Sequence, residues 1–216
     1  MMLNVLNLSI VLLLFLLIFW CAEFLYKRKA PASITRKIVH IGGGIVAALL
    51  PIFVDLKTVI ILGIGFFLLL AFSKRKNLLN SVHKINDESI GALLFAPSLT
   101  LVAIIFWPKN PLIFQGAALI LGLSDGIAGV IGTRYGKKKY SITGTKTIEG
   151  SLVFFLITVL ILFGILHMSK IPLAFDRTLF VFGAALLLTI IEAAFGKGWD
   201  NLFISIVAGS ILYFAL

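Results

Sequence analysis

The sequence predicts an all-α protein, a polytopic integral membrane bundle of about eight transmembrane helices with both termini outside. Three observations carry this reading. The 216 residues are 60% hydrophobic and only 13% charged, where a soluble domain is about half apolar and about a quarter charged. The apolar residues fall in runs close to the ~20 residues that cross a bilayer. The cations, which bring the net charge to +10, sit in alternate loops between those runs.

Eight runs qualify, at 4–25, 38–54, 57–73, 89–107, 111–133, 148–166, 178–195 and 200–216. The first is too long for a signal-peptide core and lacks a basic start and a small-residue cleavage site, so it reads as a retained helix. The second follows "TRK" and opens on "IVHIGGG". The fourth begins at "NDESIGALLFAP", with Asp87 and Glu88 in its first turn. The fifth is the most polar and glycine-rich, which suits an interior helix. The sixth follows the basic loop Arg134–Lys146, and the eighth follows the seventh across a Gly-Lys-Gly turn. There is no internal repeat or linker, so 1–216 reads as one domain. The single cysteine, Cys21, lies in an apolar run and makes no internal disulfide or cysteine metal site.

Fifteen of the nineteen Lys and Arg fall in the loops after the first, third, fifth and seventh runs; only Lys57, Lys109, Lys170 and Arg177 fall elsewhere. The positive-inside rule puts the basic loops in the cytosol. Their placement accounts for the net charge without nucleic acid.

Acidic residues are scarce, so their positions inform. Asp125, Glu149, Glu192 and Asp200 lie in or beside runs five to eight, Glu88 opens run four, and all fall toward the basic side. A charge at a helix centre costs about 2.5–3.5 kcal/mol on insertion scales, so such residues face a cavity or a partner. The competing reading makes them interfacial anchors for nearby cations. Asp125, Gly129, Gly132 and Gly136 are spaced 4, 3 and 4 apart and form one stripe on a helix. That stripe reads either as a packing face for another helix or as room for a phosphate or head group beside a cation on Asp125.

The segment "GTKTIEG" puts Lys146 and Thr147 at a helix N-terminus, a ready anion site. Lys137–Lys139 need only orientation bias, and no P-loop is present. Arg36 and His40 share a helix face, with Gly42–Gly44 leaving room beside them. His83 and His167 read as surface residues. Glu192 and Asp200-Asn201 face each other across the Gly-Lys-Gly turn, where two carboxylates hold a metal or simply flank Lys197. Carboxylates for a hard cation, cations for phosphates and a bilayer setting together suit phosphoryl or nucleotidyl transfer to a lipid head group.

In order, "RKIVHIGG", "NDESIGALLFAP", "SDGIAGVIGTRYGKKKY…TGTKTIEGS" and "IEAAFGKGWDNL" resemble the dolichol kinase, phytol kinase and CTP-dependent diacylglycerol kinase family across most of 36–202. The stretch Asp125–Gly150 is also similar to phosphatidate cytidylyltransferases, whose C-terminal signature is missing here. The resemblance implies a membrane kinase that moves the γ-phosphate of CTP, with Mg²⁺, onto a lipid alcohol. An isoprenoid alcohol such as polyprenol, dolichol, phytol or geranylgeraniol is favoured over diacylglycerol.

Carried over by residue, Asp125 is the leading Mg²⁺ ligand or catalytic acid, with Glu192 and Asp200 as further metal candidates. Lys146, Glu149 and His40 join it as catalytic candidates, Glu149 orienting Lys146. Arg36, Lys37, Gly129, Gly132, Arg134, Gly136 and Thr147 would bind phosphates, and Glu88 and Asn201 complete the set. Trp199 stands where the family often has the first of two adjacent aspartates, which weakens the Asp200-Asn201 assignment. The expected partners are the lipid alcohol, CTP and membrane lipids, with a homodimer left open. Nucleotidyl transfer to phosphatidate is the alternative. An ion-coupled transporter is the remote one, since no paired halves with broken helices are seen.

Overall fold

A computed structural model describes residues 2–83, 89–170 and 175–216. In chain order it contains α1 (Met2–Lys27), α2 (Ala32–Phe53), α3 (Leu56–Arg75), the single turn α4 (Asn80–His83), α5 (Gly91–Phe106) and α6 (Pro111–Leu119). A π-helical turn (Ile120–Asp125) joins α6 to α7 (Gly126–Tyr135). Then come the short strands β1 (Lys139–Ser141) and β2 (Thr145–Thr147), followed by α8 (Ile148–Met168), α9 (Phe175–Ala194) and α10 (Trp199–Ala215). Each apolar run is one helical rod. Six are long and apolar enough to cross a membrane, and α5 and α10 are shorter apolar helices. The chain is a polytopic helical membrane bundle.

Local chemistry sets many of the ends. Asp55 caps α3 by accepting from the Thr58 amide at 2.8 Å, and Asn110 caps α6 through the Leu112 amide at 3.0 Å with Pro111 in the first turn. Thr147 caps α8 by accepting from the Gly150 amide at 3.1 Å. Two features depart from the predicted pattern. The fourth rod starts at Gly91 and not at 89: Ile90 is its cap, with φ -99 and ψ 8, and its amide, which a helix start leaves without an intrahelical acceptor, donates to the Lys197 carbonyl at 3.0 Å. The basic loop folds into an antiparallel hairpin in which Tyr140 faces Lys146. Glu88 and Asp87 lie outside the described residues.

The rod from α6 through the π turn to α7 is the centre of the bundle. It is 67% buried, against 11% for α1. Small residues make this possible. A Cβ on Gly44 of α2 would lie 2.4 Å from the Gly122 Cα, so the two backbones touch there. Buried polar groups bridge helices: Gln115 donates to the Ala48 carbonyl at 2.8 Å and Thr158 to Ser124 at 3.0 Å. Large apolar side chains such as Leu16, Leu160 and Phe214 are exposed on the outer faces, as a lipid-facing surface requires.

Candidate active site

At one end of the bundle the N-terminal turns of α2, α5, α8 and α10, the C-terminal turns of α7 and α9, and the hairpin enclose a cavity of about 690 Å³. Of the residues singled out in the sequence, Arg36, Lys37, His40, Asp125, Gly129, Gly132, Gly136, Lys146, Thr147, Glu192, Asp200 and Asn201 line it. Segments up to 165 positions apart thus meet at one site.

Asp125 ends the π turn and is only 5% exposed. Lys37 Nζ lies 2.7 Å from its Oδ2 and also donates to its main-chain oxygen at 3.2 Å. His40 Nε2 lies 3.1 Å from the same Oδ2 and 2.9 Å from the Leu121 carbonyl oxygen. Both neighbours are acceptors, so Nε2 carries the proton and donates. The wider π turn breaks the i→i+4 register, and the Leu121 carbonyl takes this side-chain donor. The His40 ring also packs on Phe95, with centroids 4.6 Å apart.

The glycine stripe serves this arrangement directly. A Cβ on Gly129 would lie 2.4 Å from Lys37 Cε and 2.8 Å from Nζ. With nothing projecting from position 129, Lys37 lies straight across α7 to Asp125, and a methyl there would make the end of this side chain shift. At Gly132 a Cβ would meet Thr147 Oγ1 at 2.7 Å, and at Gly136 it would meet Thr147 Cγ2 at 2.4 Å. These contacts match the packing reading of the stripe: α7 is bare where Lys37 and the start of α8 cross it.

The second cluster centres on Lys146 of β2. Its Nζ lies 2.6 Å from Glu192 Oε1 and 3.1 Å from Asp200 Oδ2. Glu192 is 4% exposed and also accepts from Ser151 Oγ at 3.2 Å. Burial works against the Lys146 ammonium. Asp200, Asp125 and Glu192 outweigh it and hold the pKa above the ordinary lysine range, so the residue is a cation throughout the working range.

Several expectations change. Glu149 does not orient Lys146. Its carboxylate accepts from the Lys138 amide at 3.4 Å, because the first turn of α8 folds back on the hairpin, while Lys146 points to α9 and α10. Arg134 does not line the cavity; it is exposed and stacks over Tyr135, 5.4 Å from the ring centroid. Lys139, assigned to orientation alone, lines the cavity. Asn201 commits its amide to the Gly91 carbonyl at 2.7 Å and braces α10 against α5. Gly198 has φ +98, and a Cβ there would strike the Gly91 amide at 2.1 Å. His83 is half-buried, with Nε2 2.7 Å from Ser73 Oγ, and is not a bare surface residue. Ser151 was missed, although it lies one helical turn beyond Thr147, a spacing that predicts a shared face.

The donor set suits Mg²⁺. Asp125, Glu192 and Asp200 present hard oxygens to one cavity. Mg²⁺ is ordinarily held by one or two carboxylates plus phosphates and waters. Among the described residues no three His, Cys, Asp or Glu side chains form a cage of protein ligands alone.

Fold and site together define a membrane-embedded helical protein with a large charged cavity at one end of the bundle. No family model matches the chain, and no solved structure matches it. Among curated proteins it is 31% identical over 193 residues to the phytol kinase of Synechocystis sp., covering 84% of this chain and 79% of that one. It is 31% identical over 133 residues to probable phytol kinase 3, chloroplastic, of Glycine max, covering 56% and 41%. It is 28% identical over 167 residues to probable phytol kinase 2, chloroplastic, of Oryza sativa subsp. japonica, covering 67% and 52%. The chain belongs to the phytol kinase family.

Proposed function

We propose that the protein is a lipid-alcohol kinase that transfers the γ-phosphate of CTP to the hydroxyl of an isoprenoid alcohol, of which phytol, geranylgeraniol and polyprenols are the favoured examples. Family membership supports a kinase acting on an isoprenoid alcohol. The observation that carries the mechanism is Asp125, held by Lys37 and His40 beside the apolar Val39, Leu70 and Phe95, across one cavity from Lys146. An alcohol on a hydrocarbon tail and a triphosphate from water meet at such a boundary.

In this reading the alcohol oxygen bonds to the γ-phosphorus. The bond from that phosphorus to the β–γ bridging oxygen breaks, and the nucleoside diphosphate leaves with the electron pair. The hydroxyl proton passes to the Asp125 carboxylate. Lys37 and His40 both bond Oδ2, which fixes the plane of the carboxylate and turns Oδ1 to the substrate. Lys146 exchanges its carboxylate partners for phosphate oxygens, one charge-assisted bond for another, and Arg36, which lines the same cavity, adds a further phosphate contact, while Lys37 stays on Asp125. Asp125, Glu192 and Asp200 are the residues that would hold Mg²⁺, which when bound neutralises charge on the triphosphate. The basic loops support a cytosolic position for this cavity.

The test is turnover by purified protein with CTP, ATP, GTP and UTP against a panel of isoprenoid alcohols and diacylglycerol. Label from the γ-position of CTP should enter the lipid alcohol. Label entering phosphatidate from the α-position makes the protein a cytidylyltransferase, and no transfer with any pair sinks the reading.

A further inference from the structure

A second, narrow cavity of about 80 Å³ continues from the first into the apolar body of the bundle. The two share three residues, Val39 of α2, Leu70 of α3 and Phe95 of α5. Below them the three helices contribute residues in matched depth order. On α2 the wall continues through Gly43 and Ala47 to Leu50, on α3 through Phe66 and Leu62 to Val59, and on α5 through Ala96 to Leu99. From Val39 to Leu50 is roughly 16 Å of helix, about half of a ~30 Å hydrocarbon core. The fourth side is α1, through Phe15, Ile18 and Phe19.

This cleft is chemically uniform. Its one side-chain hydroxyl, Thr100, donates to the Ala96 carbonyl at 2.8 Å and offers nothing to a ligand. Small residues keep it open on two walls, Gly43 and Ala47 on α2 and Ala96 on α5, whereas Gly63 on α3 makes room for Thr100, which a Cβ there would strike. Phe95 stands at the junction. A Cβ on Gly43 would lie 3.3 Å from its ring, and its other neighbour is the His40 imidazole that bonds Asp125. A molecule in the cleft therefore has its upper end at the Asp125 cluster and all other atoms among hydrocarbon side chains.

We propose that the cleft between α1, α2, α3 and α5 binds the hydrocarbon tail of the alcohol substrate, with the hydroxyl passing Phe95 to reach Asp125. The inference rests on the lipid-alcohol kinase reading. The cleft is the specificity determinant for the tail, because depth and width below Phe95 decide how many isoprene units are read before the chain leaves for bulk lipid. Ala47, about three quarters of the way down from Val39 to Leu50, is the position at which added bulk shortens it.

Two measurements separate this inference from the kinase reading. The first is photolabelling of the purified protein by a phytol analogue with a diazirine near the tail end. Label should fall on 59–66 and 96–100, be competed by phytol, and be lost in Ala47→Phe. The second is kcat and KM for prenol, geraniol, farnesol and phytol. Ala47→Phe should raise KM for phytol by about 10-fold or more, the scale of a lost hydrophobic subsite, and leave prenol within about 2-fold. Leu62→Ala, which widens the cleft without overpacking, should shift preference toward longer or bulkier tails. Label in the cleft without turnover of any alcohol supports the tail site and sinks the kinase. Turnover with label elsewhere, or with equal changes for prenol and phytol in both variants, overturns the tail site and leaves the kinase standing.

Discussion

Replacing Lys146 by methionine separates its two roles. The side chain keeps its length and loses its charge. In the native protein the ammonium neutralises Glu192 at 2.6 Å and Asp200 at 3.1 Å, with Glu192 only 4% exposed. Removing one partner of a buried pair costs about 3–5 kcal/mol, because the other charge is stranded. Asp200 faces a cavity open to water, so the lower end, about 3 kcal/mol, is expected. Lys146→Met should therefore lower thermal stability in detergent clearly. Lys146→Met with Glu192→Gln should recover much of it, because no strongly buried charge then lacks a partner. Turnover should behave differently. Losing a charge-assisted phosphate contact worth roughly 1.5–4 kcal/mol lowers rate or affinity about 10- to 1000-fold, and the double variant should stay that low. A stable double variant with native turnover would refute a role for Lys146 in phosphate binding and leave it as a structural counter-ion.

Three further outcomes follow from named contacts. Gly129→Ala should lower turnover about 10-fold or more with a far smaller change in melting temperature, because the new methyl displaces Lys37 from Asp125; unchanged turnover means that Lys37 is dispensable. In intact cells, with Cys21→Ser, Lys138→Cys should be shielded from an impermeant thiol reagent and Leu216→Cys should be labelled; the reverse pattern removes the cytosolic placement of the cavity. Burial, with repulsion from Lys74, holds the His83 pKa below its ordinary 6.5. The unfolded chain then takes up the proton first, so the stability tied to neutral His83 is full above about pH 6.5 and is lost as pH falls. His83→Gln should flatten the melting temperature between about pH 7.5 and 5, and an unchanged slope would assign that dependence elsewhere.

The eight helices were legible because each is one apolar run, and the cations between runs punctuate them. The start of α5 was placed two residues early because Ser89 and Ile90 read as a helix cap and first apolar residue, whereas the Ile90 amide bonds to the Lys197 carbonyl of the α9–α10 turn. The π turn was not legible. It sits where Gly122 meets Gly44, a tertiary contact with no signature in the local pattern. The hairpin strands are three residues each, too short for period-two alternation to register.

The site shows the same division. Most of the motif residues line one cavity, Arg134 and Glu149 excepted, yet the partners of Lys146 were misread. Glu149, three positions away, was the local choice; Glu192 and Asp200 are 46 and 54 positions away. Spacing identified which residues carry charge on one side of the bundle. It did not reveal which ammonium meets which carboxylate, because that depends on how α2 packs on α7 and the π turn and how α9 and α10 pack on each other and on α8 and the π turn.

Asp125→Asn tests the central claim most directly, with thermal stability in detergent measured beside γ-phosphate transfer at saturating Mg²⁺ and CTP. Asparagine keeps the size of the side chain, an acceptor for His40 and the main-chain oxygen that Lys37 also uses, so the protein should remain folded. It removes the charge and the proton acceptor, so transfer should fall at least ~10²-fold, the scale of losing a key electrostatic group at a phosphoryl-transfer site. A folded Asp125→Asn protein with near-native transfer would contradict the account, leaving the Lys37–Asp125–His40 cluster a packing device within the bundle.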